Sequence, residues 1–190
     1  PISAPMAFDK TILQVIPAMD SGGAERTTLE MVRAIIAAGG RAIVATSGGR
    51  MVGALEQAGA HVSILPVQTK NPLTIVANAS RLSGLIRETG ADLIHARSRA
   101  PAWSALMAAR RAGVPFVTTW HGAYRGGSPW KRFYNSAMAR GDLVIANSAF
   151  TAESIRASND PGDRLMIIHR GADTEEFNLR LISDERRAAI

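Results

Sequence analysis

Residues 75–99 read Ile75-Val-Ala-Asn-Ala-Ser-Arg-Leu-Ser-Gly-Leu-Ile-Arg-Glu-Thr-Gly90-Ala-Asp-Leu-Ile-His-Ala-Arg-Ser-Arg99. Two periods meet there. Ile75, Ala79, Leu82 and Ile86 fall on one face of a helix. Gly90 ends it, because glycine tolerates the left-handed backbone that closes helices. A short apolar run, Ala91-Asp-Leu-Ile, follows at once and reads as a strand.

The same unit recurs on both sides. Gly40 precedes Arg41-Ala-Ile-Val-Ala, and Gly59 precedes Ala60-His-Val-Ser-Ile-Leu. Gly113 precedes Val114-Pro-Phe-Val, and Gly141 precedes Asp142-Leu-Val-Ile. Runs this short and apolar fit strands buried on both faces. The segments between them have helical spacing. Leu29, Val32 and Ile36 share a face, and Trp103, Leu106 and Met107 follow a Pro101 suited to a first helical turn. Alternating strand and helix implies a parallel sheet with right-handed crossovers. With Thr11–Pro17 first and Leu165–His169 last, about seven strands result. The expected fold is α/β: three layers around a doubly wound, mostly parallel sheet with its first strand central. The units share little beyond glycine, so this is not a solenoid repeat.

No low-complexity linker divides the chain. Residues 1–178 read as one domain and 179–190 as the start of a linker or helix. Ser183 is placed to cap that helix, with Asp184 and Glu185 in its first turn. The helix stops after barely two turns, which implies a longer parent protein.

Composition narrows the classes. The 190 residues include no cysteine, so disulfides and cysteine zinc sites are excluded. Pro1 to Lys10 lacks a basic stretch followed by an apolar core, unlike a signal peptide. No apolar run is long enough to span a bilayer. A soluble, cytoplasmic protein is expected. The net charge of +6, carried mainly by arginine, favours anionic partners. The arginines are scattered rather than interleaved with aromatics, which argues against nucleic acid.

In an open parallel sheet, ligands bind beyond the carboxyl ends of the strands. The segments there are Met19-Asp-Ser-Gly-Gly-Ala-Glu-Arg, His95-Ala-Arg-Ser-Arg, Thr118-Thr-Trp-His-Gly, Asn147-Ser-Ala-Phe and His169-Arg-Gly-Ala-Asp. Gly22, His95, His121, Ser148 and Gly171 are therefore expected on one rim. The amides after Gly22-Gly23 suit a phosphate or carboxylate, although a tight turn capped by Ser21 or Gly22 explains the same residues. His121 and His95 suit hydrogen bonding to a ligand hydroxyl, or a satisfied structural role. Asn147 and Ser148 read most simply as helix caps. Trp130, Phe133, Tyr134, Ala137 and Met138 make a helical stripe that reads as core. Lys131, Arg132 and Arg125 beside it suit phosphates or lipid headgroups. The Walker phosphate loop, the dinucleotide glycine fingerprint, the serine elbow and metal-ligand spacings are all missing.

Together these segments resemble the N-terminal domain of GT-B glycosyltransferases, specifically the retaining family four. The resemblance is carried by Val15-Ile-Pro-Ala-Met-Asp-Ser-Gly-Gly-Ala-Glu-Arg, Ala91-Asp-Leu-Ile-His-Ala-Arg-Ser-Arg and Val117-Thr-Thr-Trp-His-Gly. Asp142-Leu-Val-Ile-Ala-Asn-Ser and Ile167-Ile-His-Arg-Gly-Ala-Asp-Thr-Glu-Glu-Phe complete it.

The resemblance implies a Rossmann-like, acceptor-side domain facing a donor-binding partner domain across a cleft. It implies retaining transfer from a nucleotide sugar to an envelope glycan or glycolipid, such as lipopolysaccharide, at the inner membrane face. It also implies no metal and no cofactor beyond the donor substrate. It places His121 on the transferred sugar and Gly22 and Gly23 near a phosphate. Positive charge beside the cleft, rather than the resemblance, assigns Arg97, Ser98, Arg99, Arg125 and Lys131 to the acceptor and to peripheral contact with anionic membrane. His95, Asn147, Ser148, Arg170 and Gly171 are assigned to the cleft rim. Many relatives have Asn at the position of Arg170. The catalytic partner domain lies beyond this sequence, so the chain alone is expected to be inactive. Alternatives are a sugar-nucleotide 2-epimerase, for which the rim offers Asp20, Glu25 and Asp173, or a non-catalytic glycan- or nucleotide-binding module.

Overall fold

The computed structural model describes residues 8–123 and 128–171. Among these residues, seven strands alternate with six α-helices. The strands are β1 (Thr11–Val15), β2 (Arg41–Thr46), β3 (His61–Ile64), β4 (Leu93–Ala96), β5 (Phe116–Trp120), β6 (Leu143–Ala146) and β7 (Leu165–Ile167). The helices are α1 (Gly23–Ala37), α2 (Val52–Gln57), α3 (Pro72–Thr89), α4 (Arg99–Ala112), α5 (Pro129–Ala139) and α6 (Ala149–Asn159). All pairings are parallel, in the order β3-β2-β1-β4-β5-β6-β7. The doubly wound sheet is as expected, except that β4 and not β1 holds the middle place. The chain builds β1 to β3 outward on one side, then returns to β4 on the other. That reversal opens a crevice at the carboxyl ends.

Glycine closes the helices as the spacing requires. Gly90 and Gly113 sit at the ends of α3 and α4 with φ of 65° and 71°. Asn71 caps α3 by accepting from the amides of Leu73 and Thr74, and Pro72 occupies the first turn.

Two cores result. On one face, Leu29, Val32 and Ile35 of α1 and Leu55 of α2 pack on Ile12 and Val44. On the other, Leu82, Ile86, Ala105, Met138 and Ile155 of α3 to α6 pack on Leu13, Ile94, Phe116 and Val144. Each of the larger apolar side chains among these contributes roughly 2 kcal/mol by leaving water. The α1 stripe runs through Ile35, at 5% exposure, and not through Ile36, at 36%. Helical spacing allows either residue after Val32, and the sheet selects the one facing it. In α5, Ala137 and Met138 are core, but Trp130 and Phe133 stand 71% and 51% exposed. The inner half of that stripe covers the sheet while its first turn overhangs the rim.

The opposite ends of the strands are pinned by aspartates. Asp92 Oδ2 accepts from the Thr11 amide (2.7 Å), and Asp142 Oδ2 from the Phe116 amide (2.8 Å). Each joins the start of one strand to its neighbour, far from the crevice. No helix among the described residues is long and apolar enough to cross a membrane.

Candidate active site

β5 is buried from Phe116 to Trp120 except at Val117, and delivers His121 to the carboxyl rim. Beyond β7, Arg170 reaches back, and its Nη2 donates to His121 Nδ1 at 2.8 Å. A guanidinium only donates, so Nδ1 is an acceptor and the imidazole proton sits on Nε2. That Nε2–H is buried and has no partner among the described residues. Burial, then the nearby positive charges of Arg97 and Arg170, push the His121 pKa down to about 3. The ring is therefore neutral at physiological pH. It suits donation of a hydrogen bond to an oxygen and not supply of a proton to a leaving group.

The Gly22-Gly23 turn supports this arrangement in two ways. Gly22 has φ of 153°, a conformation few side chains adopt, and leads the chain into α1. A Cβ on Gly23 would meet the Arg170 guanidinium, so glycine leaves the space that Arg170 occupies on its way to His121. Gly22 itself lines a separate depression with Arg26, Arg33 and Met51, between α1 and the start of α2. The Glu25 carboxylate lies against it, 2.6 Å from where a Cβ would be.

A cleft of about 300 Å³ opens between α1 and the ends of β4 to β7. His95, Arg97, His121, Asn147, Arg170 and Gly171 all line it. His95 lies inside β4 rather than past its end, 6% exposed, with Nε2 2.8 Å from Thr119 Oγ1. Burial holds its pKa well below the ordinary value, so it too is neutral. Asn147 Nδ2 donates to the His121 carbonyl at 3.2 Å, and its Oδ1 accepts from Thr151 Oγ1 at 2.8 Å. Ser148 caps α6 through the Thr151 amide. The cap reading of Ser148 holds, while Asn147 fixes the backbone of His121. The lining offers one carboxylate among the described residues, Glu30, and it pairs with Arg26 at 3.2 Å.

Arg97 parts company with the residues next to it. It is 2% exposed and belongs to the His121 cleft. Ser98 and Arg99 line a second, larger groove with Lys131, Trp103, Trp130 and Phe133. This groove, of about 570 Å³, lies between the first turns of α3, α4 and α5. Trp103 stacks on Phe133 with centroids 5.0 Å apart, and Arg99 Nη1 donates to Asn135 Oδ1 at 3.4 Å. The two cavities stand on either side of the β4–α4 turn. Arg125 lies outside the described residues, as does Asp173.

The model of glycosyltransferase family 4 matches residues 21–176. This chain belongs to glycosyltransferase family 4. Among solved structures, a glycosyltransferase from Rickettsia africae is 33% identical, with a TM-score of 0.82, over 95% of this chain and 48% of that one. HepE from Anabaena, in complex with UDP and glucose, is 21% identical, with a TM-score of 0.75, over 95% and 50%. A UDP-N-acetylglucosamine 2-epimerase is more distant, at 11% identity and a TM-score of 0.59, over 84% and 48%. The family 4 chain spans about half the length of the solved relatives it matches. A search of the curated proteins found no match. The shared architecture is that of the N-terminal domain of GT-B enzymes.

Two features of this family 4 cleft escape sequence reasoning. Thr119, which holds His95, was legible in principle, because strand alternation puts it on the same face. The Arg170–His121 bond joins residues 49 apart, and no local pattern marks it.

Proposed function

We propose that this chain is the acceptor-side half of a retaining glycosyltransferase. The complete enzyme would move a sugar from a nucleotide sugar to an envelope glycan or lipid-linked glycan, with a donor-binding domain closing the cleft. One observation carries the reading: a neutral imidazole, tautomer fixed by Arg170, points an unpartnered Nε2–H within a cleft at the carboxyl rim. Such a group holds a sugar hydroxyl and strengthens its bond as charge develops at the reacting centre. The bound UDP and glucose of HepE, which shares this fold, support a nucleoside diphosphate sugar as donor.

The second groove is the place for the acceptor. Its apolar floor, flanked by Lys70, Lys131 and the exposed Trp130 and Val76, suits an amphiphile at an anionic surface. An epimerase needs carboxylates for proton work. Glu30, the one in the cleft, is paired, and Asp20 accepts from the Arg50 amide at 3.3 Å. These contacts favour transfer.

The test is a transfer assay with the complete protein and UDP-sugars, with and without lipid acceptors. Product formed only when acceptor is present upholds the reading. Conversion of UDP-N-acetylglucosamine with no acceptor would replace it with the epimerase.

A further inference from the structure

Arg97 carries a buried charge that no carboxylate contacts among the described residues; Glu30 acts on it only through space. It is 2% exposed, and its Nε and Nη2 find no partner among the described residues. Burial lowers its pKa only to about 10, so it is a cation at neutral pH. Arg170 brings a second guanidinium to the same cleft. Glu30, the only acidic lining residue among those described, is engaged with Arg26. Water satisfies N–H groups but brings no countercharge, and an ion buried without a directly bonded partner is costly to hold. Proteins hold such a group where a ligand supplies the missing charge. A guanidinium is a planar fork matched to two oxygens of an oxyanion. Two guanidiniums in one cleft suit a dianion better than a carboxylate.

We propose that Arg97, with Arg170, forms a subsite for a phosphate group of a substrate, set beside the sugar-positioning Nε2–H of His121. The subsite rests on the reading of this cleft as a substrate cleft, and not on the reaction performed there. The phosphate has two possible sources, a nucleoside diphosphate or a phosphorylated acceptor. Either presents the same oxygens to the fork. The neighbouring Ser98 and Arg99 line the second groove, so a phosphate on Arg97 is separated from that groove by one turn of chain.

The experiment uses the chain labelled with ¹⁵N-arginine, titrated first with inorganic phosphate and then with UDP. The Arg97 Nε–H resonance of the unaltered chain should move with phosphate. Arg97→Met, which keeps length but removes charge, should bind phosphate at least about tenfold more weakly, the loss of one charge-assisted bond pair. Its ligand-free melting temperature should equal or exceed that of the wild type, because a buried charge with unpartnered N–H groups has gone. A structural arginine would instead melt lower on removal. Displacement of phosphate by UDP assigns the subsite to the nucleotide; joint binding of both assigns it to the acceptor. An Arg97 resonance that stays still at saturating phosphate overturns the proposal, as does undiminished phosphate binding by Arg97→Met. Failure here leaves the transfer assay unaffected, and failure of transfer leaves phosphate binding measurable.

Discussion

Arg170 Nη2 donates to His121 Nδ1 across 2.8 Å, and the guanidinium passes where Gly23 has no side chain. Three segments, after β1, β5 and β7, thereby determine one tautomer. Gly23→Ala should displace the guanidinium with little effect on melting, since the obstructed atoms end a flexible side chain. With Arg170 moved away, the His121 pKa should rise from about 3. A histidine NMR titration of both proteins checks this. An unchanged titration would show that Arg170 does not control the ring.

The buried histidines set an acid limit on stability. His121 titrates at about 3 when folded against an ordinary value of 6.5, and His95 is shifted the same way. Between those values the unfolded chain binds protons that the folded chain does not. Stability from these groups is therefore complete above pH 6.5 and falls as pH drops toward 3. Melting temperature against pH should decline in this window. His121→Gln should decline less steeply, and parallel curves for the two proteins would remove His121 as a source of the slope.

Asp142 is a staple without a role in the cleft. Its carboxylate accepts from the Phe116 amide and from Arg110, while it remains partly open to water. Asp142→Ala should cost about 1 kcal/mol, chiefly through the orphaned amide, because the exposed ion pair adds little. Turnover of the complete enzyme should be unchanged. Denaturant unfolding and a transfer assay separate the two effects. Lost turnover at normal stability would place Asp142 in the mechanism.

The first turn of α5 exposes Trp130 and Phe133 beside Lys131 and Arg132. Reversing both charges, Lys131→Glu with Arg132→Glu, should weaken binding to phosphatidylglycerol vesicles. Binding to neutral vesicles should change little. Co-sedimentation measures both. Equal binding of wild type and variant to the anionic vesicles would leave this turn without a membrane role.

Much of the framework was legible because glycine and apolar runs act locally. Gly90 and Gly113 end helices, and the runs after them become strands. Faces were less legible. Ile35 and Ile36 satisfy the same helical period until the sheet chooses between them. Trp130 and Met138 share a stripe, but only the latter lies over β-structure. Arg97 and Arg99 look equivalent in sequence, yet one follows the buried end of β4 and the other opens α4 into a different cavity. Topology brings His95, His121, Asn147 and Arg170 to one cleft. What topology could not supply was the long-range bond that gives His121 its direction.

The most direct measurement is the transfer rate of the complete enzyme as wild type and His121→Ala, with a melting curve of each. A neutral imidazole that donates from Nε2 to a sugar hydroxyl, with a bond that tightens in the transition state, contributes about ten- to a thousandfold to turnover. The expected result is a loss in that range at a nearly unchanged melting temperature, because His121 lies on the rim outside both cores. Normal turnover in His121→Ala would contradict its place in the site, and a large fall in melting temperature would make it a structural histidine.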